Sequence, residues 1–504
     1  MTKEKKLTDR TLAGFLWTIT GSGIQVSLKI GVLAIMARLI SPKEFGVVGM
    51  AVIAIEFSKM FTQMGVGPAI VQRKELEDRH LATGFTMSLL MGLCFATTLF
   101  LGAPMLATFF RMEGLQEVLR TVSLIFLIDS FTLVGQALLQ RAMKFKVIAG
   151  IDVASYAIGY GIVGITLGYL GYGKWALVTA LLSQSLLHAI LVVIIQPYPK
   201  TPKLDRNAFK ELLHFGGGFT LARIGNYIAL QGDNLVIGRM LGAAALGIYG
   251  RAYQFMVMPA ALFGTALDQS LFPAMAKVQD DKQRLGKAFL TGVGFIALAG
   301  IPLSVLLVFL APEIVLVLLG PKWVGVTLPF QILASGLLFR MSYKMSDTLV
   351  RATGAVYKRA WRQLIYGVMV VLGSYIGQFW GLYGVAWGVA IALIVNFLLM
   401  AQLSVQLTDV RWSDIAKAHY HGLLLGATTG MTTLILLTLC RENIDSALAV
   451  LLITGIGAGA QILLSTYFFP GIFMRPDQQE LVQKLILKRF KPASTPKTTN
   501  PTHG

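Results

Sequence analysis

The sequence predicts an all-α polytopic membrane protein. Hydrophobic residues make up 55% of its 504 residues, charged residues only 14%, and the mean hydropathy is +0.67. Soluble proteins carry roughly a quarter charged residues. Apolar runs of about 20 residues recur along the chain, and each is long enough to cross a hydrocarbon core of about 30 Å. Such runs are helical because a helix satisfies its backbone hydrogen bonds within the segment.

We place about fourteen membrane-spanning helices. They lie near residues 12–38, 46–70, 80–103, 115–139, 147–170, 175–196, 209–239, 247–273, 284–310, 326–350, 360–380, 384–407, 419–440 and 446–468. The basic segment 1–10 precedes the first helix, and no small-residue cleavage pattern follows it, so we expect that helix to be retained.

The distribution of basic residues predicts the orientation. The net charge is +19, but the 44 lysine and arginine residues lie in short loops rather than on one face, which argues against a nucleic-acid partner. With the N-terminus in the cytoplasm, 30 fall in inner segments, 5 in outer loops and 9 within spans. This bias predicts that both termini face the cytoplasm. We expect a bacterial inner (plasma) membrane location.

An internal repeat predicts the domain organisation. Residues 38–49 align without a gap to residues 239–250, at an offset of 201 residues. An even number of predicted helices separates the two copies, so the halves share one orientation. Repeated halves are typical of transporters, with the substrate near the midplane between them. We predict an N-lobe at 1–206 (helices 1–6), a C-lobe at 207–407 (helices 7–12), two extra helices at 408–470 and a basic cytoplasmic tail at 471–504.

Motifs for catalysis, cofactors and metals are missing. The chain contains no P-loop, HExxH, CxxC or G-x-S-x-G. Cys94 and Cys440 lie in apolar runs and predict no disulfide. We therefore expect no enzyme, no cofactor and no metal site. A membrane polysaccharide polymerase or ligase with its active site inside the bundle stays open as an alternative.

Charged residues within the spans are the candidate site residues. Charges facing lipid are costly, so these residues should face the bundle interior or a wet cavity. The cations, which could bind substrate, are Lys29, Lys59, Arg223, Arg340 and Lys344; the acids, which could couple an ion or pair internally, are Glu56, Asp129 and Asp233. Internal pairing, for example of Glu56 with Lys59, is the alternative for each residue. The excess of cations favours a phosphate or diphosphate ligand. Arg251 is ambiguous between substrate contact and an interfacial position.

Five segments resemble the polysaccharide transporter family of the MOP superfamily, and within it the Wzx-type and colanic-acid-exporter-like lipopolysaccharide flippases. These segments, in the family's order, are Arg38–Gly46, Gly67–Gln72, Leu139–Lys146, Asp233–Arg239 and Phe272–Asp281. The resemblance covers about residues 10–470. It implies the fold shared by MATE and MurJ exporters, with two six-helix lobes and alternating access. It also implies an undecaprenyl-diphosphate-linked oligosaccharide of O-antigen, colanic acid or other exopolysaccharide synthesis as substrate.

The resemblance and the residues together favour a flippase over its rivals. A multidrug exporter of the same fold would require an anionic cavity for cationic drugs, and the basic excess speaks against it. A lipid II exporter also remains open, although the quoted segments disfavour it. The partners we expect are a lipid-linked anionic saccharide, membrane lipid and other polysaccharide-assembly proteins.

Overall fold

The structure is a computed structural model that describes residues 26–62, 66–199 and 201–479. It describes the side chains at these positions except 62, 212–226, 228–229, 262–263 and 265–270. All regular elements in the described ranges are helical. Most of the predicted tail, from residue 480 onward, lies outside them.

Most described helices lie within or near the predicted spans, and residues 12–25 of the first predicted span lie outside the described ranges. Those of the predicted N-lobe are α1 (26–39), α2 (Pro42–Thr62), α3 (Val66–Gln72), α4 (Asp78–Phe110), α5 (Leu115–Val122), α6 (Leu124–Ser130), α7 (Leu133–Arg141), α8 (Phe145–Tyr156), α9 (Ile165–Tyr169) and α10 (Lys174–Ile195). Those of the predicted C-lobe are α11 (Arg206–Met240), α12 (Gly242–Ala276), α13 (Lys282–Phe309), α14 (Ala311–Leu318), α15 (Thr327–Ser335), α16 (Leu337–Ala352), α17 (Val356–Gly377) and α18 (Gly381–Leu407). The remaining helices are α19 (Trp412–Asn443), α20 (Ala447–Phe468) and α21 (Pro470–Phe473).

Three short segments have other helical geometries. A π-helix at Ala157–Gly164 joins α8 to α9, and 3₁₀ turns lie at Pro321–Val326 and Gln378–Trp380.

Length and composition make the bundle an integral membrane protein. Seven helical segments of the described chain can cross a membrane, or up to ten when each of three bent helix pairs counts as one span. The all-α membrane fold is therefore confirmed, whereas the count of about fourteen spans stays a prediction.

Two of the predicted spans are bent. The axis turns by 47° between α6 and α7, and by 43° between α15 and α16. At the first bend the hydroxyl of Thr132 donates to the carbonyl of Asp129, 2.8 Å away, and at the second Ser335 donates to Ile332, 2.6 Å away. Such side-chain bonds compete with the helical hydrogen bonds and favour bending. Apolar content alone gave no sign of these breaks.

A close helix crossing joins the repeat-related starts of α2 and α12. A Cβ built on Gly46 would overlap the carbonyl oxygen of Ala243, and one on Gly247 would overlap that of Pro42. Glycine is required at both positions because the two backbones touch. This crossing, called here the glycine crossing, lies at the end of the bundle that is predicted to face outside.

Two hydrogen bonds between the predicted lobes lie near the glycine crossing. The indole Nε1 of Trp323, which is fully buried, donates to the carbonyl of Ala37 at 2.7 Å. Arg38 Nη2 donates to the carbonyl of Val317 at 2.7 Å. The lobes are thus joined at this end by backbone contact and by directional bonds.

The start of α11 is held against the predicted N-lobe. Asp205 caps the helix by accepting from the backbone N–H groups of Ala208, at 2.8 Å, and Asn207, at 3.0 Å, and these bonds hold the pKa of its carboxyl below the ordinary value. One turn later Glu211 contacts Arg73 at 2.6 Å and His80 at 3.2 Å. The helix therefore connects the two predicted lobes.

Candidate functional site

The predicted site residues fall in three separate places. Lys29 lines a cavity between the two predicted lobes, and Lys59 lies inside the predicted N-lobe with Glu56 and Asp129. Arg340, Lys344 and Asp233 lie inside the predicted C-lobe. Arg223 belongs to α11, but its side chain lies outside the described ones. Among the described residues, the predicted cations do not form one cluster.

The cavity between the predicted lobes has a volume of about 410 Å³. Its cations are Lys29 on α1 and Arg251 on α12. Its lining residues are Lys29, Val32, Leu33, Met36, Phe45, Val48, Gly49, Val52, Tyr156, Tyr160, Leu177, Gln184, Arg251 and Gln254. We call it the Lys29–Arg251 pocket. Its size is within the usual range of ligand sites, roughly 300–1,000 Å³.

The positive charge of this pocket has no carboxylate to balance it among the lining residues. Arg251 lies with its guanidinium carbon 4.9 Å from the centre of the Phe45 ring, and one of its terminal nitrogens donates to the side-chain oxygen of Gln254. Its Nε is buried without a hydrogen-bond partner in the described chain. Lys29 Nζ lies 5.8 Å from the centre of the Tyr156 ring. Buried cations with unused donors favour an anionic ligand.

The π-helix shapes one wall of the pocket. It begins after Tyr156 and contains Tyr160, and the two rings stack with their centres 5.1 Å apart. A Cβ on Gly159 would lie 2.7 Å from the backbone nitrogen of Gln184, so this glycine lets the π-helix pack directly on α10. This close packing places Gln184 in the lining of the Lys29–Arg251 pocket. Single π-turns within α-helices are often found at functional sites.

Lys59 is neutralised inside the predicted N-lobe. Its Nζ lies 3.0 Å from Asp129 Oδ2 and 3.4 Å from Glu56 Oε1. The pairing alternative therefore holds for Lys59, Glu56 and Asp129 in this conformation. The bend between α6 and α7 brings Asp129 to this position.

Arg340 and Asp233 flank a pair of tyrosines inside the predicted C-lobe. Arg340 Nη1 donates to the hydroxyl of Tyr253 at 3.1 Å, and the hydroxyl of Tyr249 donates to Asp233 Oδ2 at 2.7 Å. Asp233 is only 1% exposed. We call these four residues the tyrosine cluster. One turn further along α16, Lys344 Nζ lies 5.5 Å from the centre of the Tyr343 ring.

Sequence reasoning missed most of the Lys29–Arg251 pocket. It left Arg251 ambiguous and did not consider Tyr156, Gln184 or Gln254. The available signal was a polar side chain within an apolar span, because such groups seek an interior partner or a cavity. Gln184 in the middle of α10 fits that description.

One protein family matches the sequence over more than half of the chain. Its description is "Polysaccharide biosynthesis protein", and the match covers residues 35–328.

Two curated bacterial proteins are similar over most of the chain. The teichuronic acid biosynthesis protein TuaB of Bacillus subtilis (strain 168) is 25% identical over 434 residues, which cover 84% of this chain and 88% of TuaB. The lipopolysaccharide biosynthesis protein WzxC of Escherichia coli (strain K12) is 24% identical over 408 residues, 78% of this chain and 80% of WzxC.

A solved structure of the lipid II flippase MurJ, in an inward closed conformation, has the same fold. The TM-score is 0.70 at 17% sequence identity, and the alignment covers 90% of this chain and 98% of that one. The predicted MurJ-like fold is thereby confirmed.

Proposed function

The chain belongs to the polysaccharide biosynthesis protein family, and we propose that it moves an undecaprenyl-diphosphate-linked oligosaccharide across the bacterial inner membrane by alternating access. The resemblance drawn from the sequence motifs is confirmed by the family match. TuaB is named for teichuronic acid biosynthesis and WzxC for lipopolysaccharide biosynthesis, which supports a saccharide cargo. Neither cargo nor membrane is fixed by the fold alone.

The observation that carries the proposal is the Lys29–Arg251 pocket. A diphosphate brings two or more negative charges and several acceptor oxygens, and it requires donors that are not already paired. Arg251 supplies a planar guanidinium with a buried Nε that has no hydrogen-bond partner among the described residues, and Lys29 supplies a second cation across the pocket. Guanidinium groups bind phosphate oxygens with two parallel hydrogen bonds in favourable cases.

The proposed cycle uses both lobes. Lys29 belongs to the predicted N-lobe and Arg251 to the predicted C-lobe, so a diphosphate bound by both would draw the lobes together. The glycine crossing closes one end of the bundle, which we take to be the outer end with both termini in the cytoplasm. Substrate then enters from the cytoplasmic side with its polyprenyl chain in the lipid. Rocking of the lobes opens the glycine crossing and releases the saccharide outside.

A cation exporter of the same fold is less well supported. A multidrug exporter for cationic compounds would place carboxylates in its central cavity, whereas the described lining of the Lys29–Arg251 pocket contains two cations and no carboxylate. Lipid II also carries a diphosphate, so the pocket alone does not separate it from other diphosphate lipids. We propose transport rather than catalysis, because the pocket offers charge neutralisation and no nucleophile beside a base.

The test uses the purified full-length protein in proteoliposomes. We expect saturable binding of undecaprenyl diphosphate, and movement of its oligosaccharide-bearing form from one leaflet to the other, detected by access of an added lectin. Lys29→Ala should weaken binding by about tenfold or more, since hydrogen bonds to charged groups contribute roughly 1.5–3 kcal/mol. Lys417→Ala, which removes an exposed lysine on α19, a helix that contributes no residue to the pocket lining, is the matched control. Wild-type protein that neither binds nor moves these lipids would refute the proposal.

A further inference from the structure

A second polar cavity lies within the predicted N-lobe, beside the Lys29–Arg251 pocket. Its volume is about 280 Å³, and residues of α2, α4, α6, α7, α8 and α10 line it. Its polar lining includes a lysine, two aspartates and a histidine, together with the amides of Gln136 and Gln184 and the hydroxyl of Ser185. We call it the N-lobe cavity. Polar groups at membrane depth are costly, so a polar cavity of this size inside a membrane bundle indicates a function.

The charged and titratable side chains that line the N-lobe cavity contact one another in pairs. Lys59 pairs with Asp129 at 3.0 Å, and His188 Nε2 lies 3.4 Å from Asp152 Oδ1. The cavity therefore lacks the unbalanced positive charge of the Lys29–Arg251 pocket and is a poor second site for a phosphate.

Three uncharged side chains of the cavity have unused hydrogen-bonding capacity. Gln136, Gln184 and Ser185 line it, and within the described chain their side chains make no hydrogen bond. Two amides and one hydroxyl offer both donors and acceptors. Half-buried amides without a protein partner are unfavourable unless water or a ligand satisfies them. The complementary ligand is uncharged and carries groups that donate and accept, which are the properties of sugar hydroxyls.

The two cavities are adjacent. Gln184 lines both, because α10 passes between them with this side chain in the shared wall. A ligand whose phosphate lies near Arg251 can therefore place its next chemical group beside Gln184. In a lipid-linked saccharide that next group is the first sugar.

We propose that the N-lobe cavity binds the sugar attached directly to the diphosphate, through hydrogen bonds from Gln136, Gln184 and Ser185 to its hydroxyl groups. This inference rests on the proposed function, since it assigns a further part of the same substrate. It adds a specificity site: a pocket that satisfies its polar groups with substrate hydroxyls discriminates against a lipid that lacks them. The Lys29–Arg251 pocket then recognises the diphosphate that all such lipids share.

The experiment compares two lipids on the purified full-length protein. One is undecaprenyl diphosphate, and the other is the same lipid with a single hexose. The wild type should bind the hexose-bearing lipid about tenfold more tightly, the size expected from two or three net hydrogen bonds. The double variant Gln136→Leu with Ser185→Ala should lose this preference and bind both lipids as the wild type binds bare undecaprenyl diphosphate.

The matched control is Gln140→Leu, which makes the same change on the same helix at an exposed position outside the cavity. It should keep the tenfold preference. Arg251→Ala should weaken the binding of both lipids to a similar extent. Size-exclusion profiles of all variants check that they fold.

Other outcomes assign the cavity differently. Equal binding of the two lipids by the wild type would overturn the sugar site and leave the proposed transport of diphosphate lipids intact. Absence of binding to either lipid would refute both. An unchanged preference in the double variant would overturn the inference as well.

Discussion

The Lys29–Arg251 pocket and the tyrosine cluster contain the same kinds of residue but use them differently. In the pocket, the guanidinium of Arg251 lies over the Phe45 ring and donates to the side chain of Gln254. Its buried Nε has no hydrogen-bond partner in the described chain. In the tyrosine cluster, Arg340 and Asp233 each have a tyrosine hydroxyl as hydrogen-bond partner, at 3.1 and 2.7 Å. Arg251 lies in the 35-residue α12, and Arg340 lies in α16, which forms a bent candidate span with the helical segment before it.

The difference teaches that depth in the membrane does not by itself identify a binding residue. A buried charge is tolerated when the protein supplies its partners, and then it stabilises one packing. A buried charge with unused donors is stable only if a ligand or water accepts the hydrogen bonds from those donors. We therefore propose Arg251 and Lys29 as substrate residues, and Arg340 and Asp233 as residues that maintain the predicted C-lobe.

The largest effect is expected at Arg251. Arg251→Ala removes the charge and the free donors, so transport per molecule should fall by about one to two orders of magnitude while membrane abundance is kept. Arg251→Lys keeps the charge without the planar donor set and should be intermediate. Saccharide export normalised to protein abundance measures both. A loss of abundance without a loss of transport per molecule would place Arg251 with the tyrosine cluster.

A smaller effect, of the opposite kind, is expected at Asp233. Asp233→Leu leaves the fully buried hydroxyl of Tyr249 without its acceptor, which should lower stability by about 1–3 kcal/mol. Asp233→Asn retains an acceptor oxygen and should lose less. Thermal unfolding of the purified variants gives the stability, and export per folded molecule should remain near the wild-type level. If Asp233→Asn abolished transport at full stability, the cluster would be functional rather than structural.

The glycine crossing allows a third test, of whether the Lys29–Arg251 pocket is shielded from the proposed outer side. Gly247→Ala places a methyl group against the carbonyl of Pro42, and overpacking of this kind costs about 1–3 kcal/mol. The closed packing should become less populated. A cysteine at Val48, in the pocket wall, with Cys94 and Cys440 replaced by serine, should then react several-fold faster with an impermeant maleimide added outside.

Gly250→Ala is the control for this test, because a Cβ at that position meets no atom within 4 Å. It lies on the same helix and should leave the labelling rate unchanged. Equal rates in both variants would mean that the crossing does not close the pocket.

The smallest effect is expected at Lys59. Its charge is already paired with Asp129 and Glu56, so Lys59→Met should change transport per molecule by less than about threefold, and its main effect should be lower abundance because the two acids lose their partner. Export normalised to abundance again gives the value. A loss as large as that of Arg251→Ala would show that the pairing in this conformation is broken during transport, as the joint diphosphate site predicted from the sequence requires.

The amino-acid sequence by itself determined the membrane fold. Hydrophobic length decides which segments leave water, and the backbone then has to be helical. The repeat-related Gly46 and Gly247 were visible in the alignment of the two halves, although the sequence did not reveal that their backbones touch. The charged positions within spans could also be identified from the sequence, because they interrupt apolar runs.

Only the tertiary structure decided which charges have partners. Lys59 and Asp129 lie 70 residues apart in the chain and 3.0 Å apart in space. Lys29, a candidate from the sequence, and Arg251, which the sequence left ambiguous, instead line a pocket without a carboxylate in its described lining. Periodicity records which side of a helix a residue occupies, but not which other helix lies opposite. That choice depends on local bends such as the one at Thr132, on the π-helix beside Gln184, and on close backbone contact at two glycines. The role of a buried charge follows from those neighbours, because they determine whether its hydrogen bonds are satisfied within the protein or left for a ligand.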